Sequence, residues 1–292
     1  MRVGRVVGLV VVLYAAPVAE RQPVFRATVD LVRLDLLAVH DGQPVVGLTA
    51  DDFEVFDNGV RQQIERVLFE EVPIDIVLAF DTSLSVRGEK LDHLLEASHA
   101  FLRGLRTNDR MGLMTFDSRV RLRTQVTGAL ELVARHLYQV QAAGSTSLLD
   151  AVYWSLLLPM RAEGRQVVLL FSDGLDNTSW LERMDVLRVV QRSEAVIYAV
   201  GLRRKVVWPT SGVDNRLLEN LAEESGGRLF FADSSDRLRP VFERVLAELR
   251  TRYLLTYYPR GVPRPGWHTL QVKLKSRPGD VITRRCYLVP DR

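Results

Sequence analysis

Cysteine is nearly absent. Cys286 is the only one in 292 residues, which excludes an internal disulfide and any cysteine metal cluster. A fold without such staples rests on its apolar core, and Cys286, within the strand-like stretch 281–289, is expected to pack as a small apolar residue. Histidine is scarce too: His40, His93, His99, His136 and His268 fall in a turn, in helices or in a strand. No Gly-x-Ser-x-Gly elbow and no phosphate-cradling glycine loop occurs, so hydrolase and nucleotide chemistry lack their usual signatures. Excess charge is also missing. With Arg2 and Arg5 set aside, the 39 basic residues fall to 37 against 36 acidic ones, which gives no basis for nucleic-acid binding. Hydrophobic content of 47% and charged content of 26% are those of an ordinary globular protein rather than a disordered one.

No apolar run reaches the roughly 20 residues that span a bilayer. The run at 6–17 is shorter, follows Arg2 and Arg5, and leads into small residues up to Ala19. This layout predicts an export signal over residues 1–19, with an uncleaved N-terminal anchor as the alternative, and so a protein of the periplasm or the extracellular space.

What is present is concentrated in one stretch, Val72-Pro-Ile-Asp-Ile-Val-Leu-Ala-Phe-Asp-Thr-Ser-Leu-Ser85. Its apolar run, broken only by Asp75, suits a strand buried on both faces of a parallel sheet. At its end Asp81, Ser83 and Ser85 place a carboxylate and two hydroxyls on alternate residues. Hard oxygen donors crowded in one turn suit a small cation such as Mg²⁺, whereas a helix N-cap explains the same residues without a ligand. Two later stretches bear on the choice. Thr146 sits in a small-residue loop, Ala143-Gly-Ser-Thr-Ser-Leu-Leu-Asp150, and Gln166-Val-Val-Leu-Leu-Phe-Ser-Asp-Gly174 is a second apolar strand ending in an acid, Asp173. Parallel strands that both end in carboxylates bring them to one sheet edge, where open α/β sheets bind ligands.

In these stretches the chain resembles the von Willebrand factor type A domain, whose metal-ion-dependent adhesion site is Asp-x-Ser-x-Ser, a Thr loop and a later Asp. The resemblance implies metal ligands at Asp81, Ser83, Ser85, Thr146 and Asp173. It implies Mg²⁺, or Mn²⁺ or Ca²⁺, held directly by the hydroxyls of Ser83, Ser85 and Thr146 and through water by the two acids. The function implied is binding of a protein partner that offers an Asp or Glu carboxylate to the metal, not catalysis. Leu84 and Ser145 stand where many relatives carry glycine, and the bulkier Leu84 bears on how closely a partner approaches. Asp150 and Asp176 read as solvated or capping residues. A regulatory subunit of an ATPase-linked complex is the alternative function, and a Mg²⁺-dependent hydrolase is a more distant one.

The rest of the chain falls into two patterns. From Ile74 to Arg250 strands alternate with helices, which predicts a doubly wound, mostly parallel sheet over residues 73–251. Residues 20–72 and 252–292 read instead as strands separated by Pro and Gly turns, too few at either end to bury themselves. The phrase from Asp41 to Gly59 resembles the leader of exported bacterial relatives of this family. The expectation is an α/β domain inserted in one β-sandwich built from both chain ends. Two further expectations concern surfaces: Trp154 is placed on the buried face of its helix, and the aperiodic segment 202–215 is a recognition loop or a plain insertion.

Overall fold

The computed structural model describes residues 31–69, 72–202, 216–263, 265–275 and 277–291. The expected export segment 1–19 lies outside them, as does the aperiodic segment 202–215 apart from Leu202. Among the described residues no helix is long and apolar enough to cross a membrane.

Alternation of side chains separates the faces of the opening strands. In β1 (Val32–His40), Val32, Leu34 and Leu36 are buried while Arg33 and Asp35 are less so. A turn at Asp41 and Gly42, with φ of 49° and 74°, leads to β2 (Gln43–Pro44). Next come β3 (Phe53–Asp57) and β4 (Val60–Gln62), which form a hairpin across Asn58-Gly59, and then β5 (Ile64–Phe69).

From there strands and helices alternate. They are β6 (Ile74–Asp81), α1 (Glu89–Arg103), β7 (Arg110–Phe116), β8 (Val120–Thr127), α2 (Leu130–Leu137), α3 (Leu148–Leu156), β9 (Arg165–Phe171), α4 (Arg183–Arg192), β10 (Val196–Leu202), α5 (Arg216–Ser225), β11 (Arg228–Ala232) and α6 (Leu238–Arg250). Their six strands form one sheet in the order β11-β10-β9-β6-β7-β8, parallel except at β8. Central β6 is buried at every residue, which is why it reads as an unbroken apolar run. Apolar residues of α1, α2 and α6 fill one face of the sheet and those of α3, α4 and α5 the other. This is the α/β fold expected.

Ahead of α4, residues 174–182 form a loop tied to Asp150. Two details differ from expectation. Stretch 281–289 is two strands, β14 (Asp280–Ile282) and β15 (Cys286–Val289), in different sheets. Between them Arg284 turns inward and donates to the carbonyls of Arg33 and Ser193, which breaks the strand. Trp154 is 53% exposed, not buried, because α3 turns Ala151, Val152 and Ser155 to the sheet instead.

With β12 (Tyr253–Tyr257) and β13 (Gly266–Leu274), the end strands form two antiparallel sheets, β14-β1-β12-β5 (with β2 on β1) and β15-β13-β3-β4. Each contains strands from both ends of the chain, and one apolar cluster that includes Leu34, Phe53, Tyr253 and Tyr287 draws on both.

A buried charge cluster joins these sheets to the α/β layer. The Asp35 carboxylate of β1 accepts from Arg165 at the start of β9 and from Arg252 after α6, whose side chains are 2% and 0% exposed. Arg165 also donates to the Leu249 carbonyl at 2.6 Å, and Arg252 to Tyr198 Oη at 2.9 Å and the Gly226 carbonyl at 2.8 Å. Gly226 is itself required: its φ is +76°, and a Cβ there would lie 2.4 Å from the Arg284 nitrogen. Burial pushes the Asp35 carboxyl up, but the charges and hydrogen bonds of both arginines outweigh it and hold the group below its ordinary value.

Two outcomes are expected. Asp35→Asn strands two buried guanidinium groups and should cost about 3–5 kcal/mol in urea denaturation. Because the folded carboxyl is the stronger acid, its contribution is present above the unfolded value of about 4 and is lost as pH falls through the folded one. The wild type should therefore lose stability below about pH 4 more steeply than Asp35→Asn. Trp154→Ala, by contrast, should shift stability by less than about 1 kcal/mol, as substitutions of exposed residues do.

Candidate metal centre

Strands β6 and β9 are parallel neighbours, with Phe80 opposite Phe171, so Asp81 and Ser172 emerge side by side at one edge. Strand order reverses there: β7 lies on one side of β6 and β9 on the other. Such a switch point leaves a crevice between diverging connections. Asp81 ends β6, and the other four expected residues lie in three loops at this edge.

The loop after β6 folds around Asp81. The Ser83 N–H donates to Asp81 Oδ1 at 2.9 Å, and the Ser172 hydroxyl donates to Oδ2 at 2.8 Å. The Ser83 and Ser85 hydroxyls lie 2.9 Å apart. The Leu84 N–H reaches the Gly144 carbonyl at 3.1 Å, and the Ala143 N–H reaches the Thr82 carbonyl at 2.8 Å, which ties this loop to the one that carries Thr146. Gly144 permits the close approach: its φ is +68°, and a Cβ there would lie 2.6 Å from Ser118 Oγ. Thr146 is held in turn by the loop after β9. Its N–H donates to Asn177 Oδ1 at 3.1 Å, and its carbonyl accepts from the N–H groups of Asn177 and Thr178 at 3.0 and 3.1 Å. Among the described residues, its hydroxyl has no protein hydrogen bond. Asp173, 7% exposed, opens this third loop, and its Oδ1 accepts from the Leu175 N–H at 3.3 Å.

Asp81 is fully buried. Burial, above all, and the nearby Asp173 charge push its carboxyl up to about 6, against the opposing hydrogen bonds from Ser83 and Ser172. Among the described residues no Lys, Arg or His pairs with Asp81. Two close acids beside three hydroxyls form a donor set suited to a hard divalent cation. Among the described residues no three His, Cys, Asp or Glu side chains form a metal cluster, in keeping with a set in which hydroxyls are the majority.

Several supporting residues escaped the sequence reading. Ser172 fixes Asp81, and Asn177 fixes Thr146; the only trace of either was its place in a loop next to a named acid. Asp117 and Ser118 brace the threonine loop from the β7–β8 turn, through bonds from Ser147 to the Asp117 carbonyl and from Ser145 N–H to Ser118 Oγ. Asp176 caps α3 by accepting from the Leu148 N–H at 2.8 Å, and Asp150 accepts from the N–H groups of Trp180 and Leu181.

The family model of the von Willebrand factor type A domain matches residues 75–244. The chain belongs to the von Willebrand factor type A family. Inter-alpha-trypsin inhibitor heavy chain H2 of Mus musculus is 22% identical over 270 residues, covering 84% of this chain, and heavy chain H1 of Bos taurus is 23% identical over 269 residues, covering 85%. The chain spans about a quarter of the length of these relatives, 27% and 28%. Among solved structures, a von Willebrand factor type A protein from Catenulispora acidiphila shares the fold, with a TM-score of 0.55 at 12% identity, over 85% of this chain and 76% of that one. The vWF domain of the type V pili tip protein Mfa5 from Porphyromonas gingivalis gives 0.52 at 11% identity, over 66% of this chain and 98% of that one. Proximal thread matrix protein 1 from the mussel byssus, in a structure with a zinc-occupied MIDAS motif, gives 0.52 at 19%, over 66% and 49%.

The raised Asp81 has a stability consequence with a definite sign. The folded protein holds this proton more tightly than the unfolded chain does, so the burden of the charge appears as pH rises from about 4 through 6. Asp81→Asn should therefore stabilise the metal-free protein at pH 7 by about 1–3 kcal/mol while removing divalent-ion binding. Denaturation in chelator and calorimetry with Mg²⁺ read the two effects; a less stable variant that still binds Mg²⁺ contradicts the assignment.

Proposed function

We propose that this chain is a metal-dependent protein-binding module of adhesion type, exported from the cell, and not an enzyme. The observation that carries the reading is the pair of buried acids, Asp81 and Asp173, set among the hydroxyls of Ser83, Ser85 and Thr146 at the sheet's switch point, with no basic side chain on Asp81 among the described residues. Mg²⁺ is the proposed ion, with Mn²⁺ or Ca²⁺ as substitutes. Ser83, Ser85 and Thr146 would hold it directly, and Asp81 and Asp173 through water. When bound, it supplies a Lewis-acidic position that a carboxylate from outside can fill. Neutral hydroxyls beside it leave its charge undercompensated, which favours an Asp or Glu of a protein partner. Family membership supports an interaction role, as do the pilus-tip domain and the metal-occupied mussel protein among the fold's relatives.

The domain plan belongs to the same proposal. Residues 73–251 form the binding domain, inserted in a β-sandwich whose halves are residues 20–72 and 252–292, with 1–19 as the export signal. Pairing of β1 with β12 and of β3 with β13 supports this plan, because neither end then leaves its strand edges open.

Capture from the source organism's envelope and medium, with Mg²⁺ and with chelator in parallel, tests the function. The expected result is a partner retained only with Mg²⁺ and lost with Ser83→Ala or Thr146→Ala. Equal retention in chelator, or partner binding that survives both substitutions, overturns the reading.

A further inference from the structure

A cation taken out of water needs a compensating anion. Arg165 and Arg252 follow this rule by sharing Asp35. Arg284 does not: it is 8% exposed, and among the described residues it forms no ion pair. Its guanidinium is nonetheless fixed. One amino group donates to the Ser193 carbonyl, between α4 and β10, at 3.3 Å, and the other to the Arg33 carbonyl of β1 at 2.8 Å. The group also lies over the Tyr287 ring, 5.7 Å from its centre. Neutral carbonyls orient the cation without cancelling its charge, and the guanidinium carries more N–H groups than these two bonds use. Burial pushes it below its ordinary value, opposed by Glu194, whose carboxylate lies 3.9 Å from Arg33.

Arg284 lines a cleft of about 150 Å³ where the end of α4 and the start of β10 meet the end strands. Much of the wall is apolar, with Val32, Pro259, Leu288 and Val289. Two exposed charged residues, Arg192 and Glu194, border it. Arg192 also has no ion pair among the described residues and stacks over Trp267, 6.0 Å from the ring centre. Two guanidinium groups against one carboxylate leave one net positive charge in the lining. That balance fits a monoanion, since a second negative charge would face Glu194. Planar guanidinium groups match a carboxylate in shape, and the hydrocarbon wall asks for an apolar remainder. Apolar cavities of this volume accept a molecule of about six carbon atoms.

We propose that this cleft binds a small organic monocarboxylate, its charged group on Arg284 and Arg192 and a short apolar tail between Val32, Leu288 and Val289. The site uses no residue of the metal centre and needs no cation. Because its walls come from both the α/β layer and the end strands, the bound acid ties the two together. The folded chain is then stabilised in proportion to the logarithm of ligand concentration once the site is filled.

Calorimetry and thermal melts of the full chain, freed of metal on a chelating resin, test this with isovalerate as the probe. The expected result is saturable binding and a melting temperature that rises with isovalerate, with neither effect from isovaleramide or inorganic phosphate at the same concentration. Affinity should fall at least about tenfold in Arg284→Gln and in Arg192→Glu. Melts without probe keep folding apart from binding; should Arg284→Gln melt early, Arg192→Glu, at an exposed position, carries the test. Equal binding of isovaleramide would make the cleft merely apolar, and equal binding of phosphate would make it an unselective cationic patch. Either result overturns the proposal, as does undiminished binding in Arg192→Glu or no binding of isovalerate to the wild type.

Discussion

One carboxylate, that of Asp35, holds the two parts of this molecule in register. It comes from an end strand, while the arginines that compensate it sit at the start of β9 and just after α6. Removing three charges from water is unfavourable unless their geometry is complete, and here every guanidinium has further acceptors: the Leu249, Arg252 and Gly226 carbonyls and Tyr198. Tyr198 in turn donates to Glu248, which also receives Arg228. The far ends of β9, β10 and α6 are thus fastened to β1 through one continuous network. Arg250 of α6 pairs with Asp109 ahead of β7, a second clamp on the same helix end. The opposite edge of the sheet is left as the end that meets solvent and ligands.

That free edge carries the reverse arrangement. At the clamp an acid is surrounded by bases and its carboxyl is held low; at the candidate metal centre Asp81 is buried near another acid and its carboxyl is driven up. The same principle, that burial disfavours an uncompensated charge, is met by paired arginines at one end of the sheet and shows as a raised carboxyl at the other. A binding site commonly departs in this way from what stability alone would select. The loops that hold the acids are nonetheless well braced, by Ser172, Asn177 and the Asp117–Ser118 turn, so the donors are positioned before any ligand arrives.

The metal edge and the apolar cleft between β8 and α3 share a scaffold. Helix α3 starts next to Thr146, with Asp176 capping its N–H groups, and ends at the apolar cleft. Strand β8 begins beside Ser118 at the metal edge and runs along that cleft.

How much was legible in the sequence follows from which properties are local. The apolar runs of β6 and β9 and the acid that ends each are local features, and with the alternation of strands and helices they were sufficient to indicate the α/β layer and to name five candidate ligands. Burial is not local. Trp154 lies at helical spacing from Ala151 and Leu158, which suggested a buried face, yet the sheet takes up Ala151, Val152 and Ser155, because the position of β8 decides which side of α3 is covered. The stretch 281–289 has strand composition throughout, but the inward turn of Arg284 toward Arg33 and Ser193 divides it between two sheets. Asp35 looked like an ordinary polar residue on an alternating strand, since its partners stand 130 and 217 positions away. Residue type and spacing determined the elements and the chemistry at their ends; only tertiary packing, which sets the dielectric surroundings and distant neighbours of each side chain, decided which charges are paired, which are left to a ligand and which apolar face meets water.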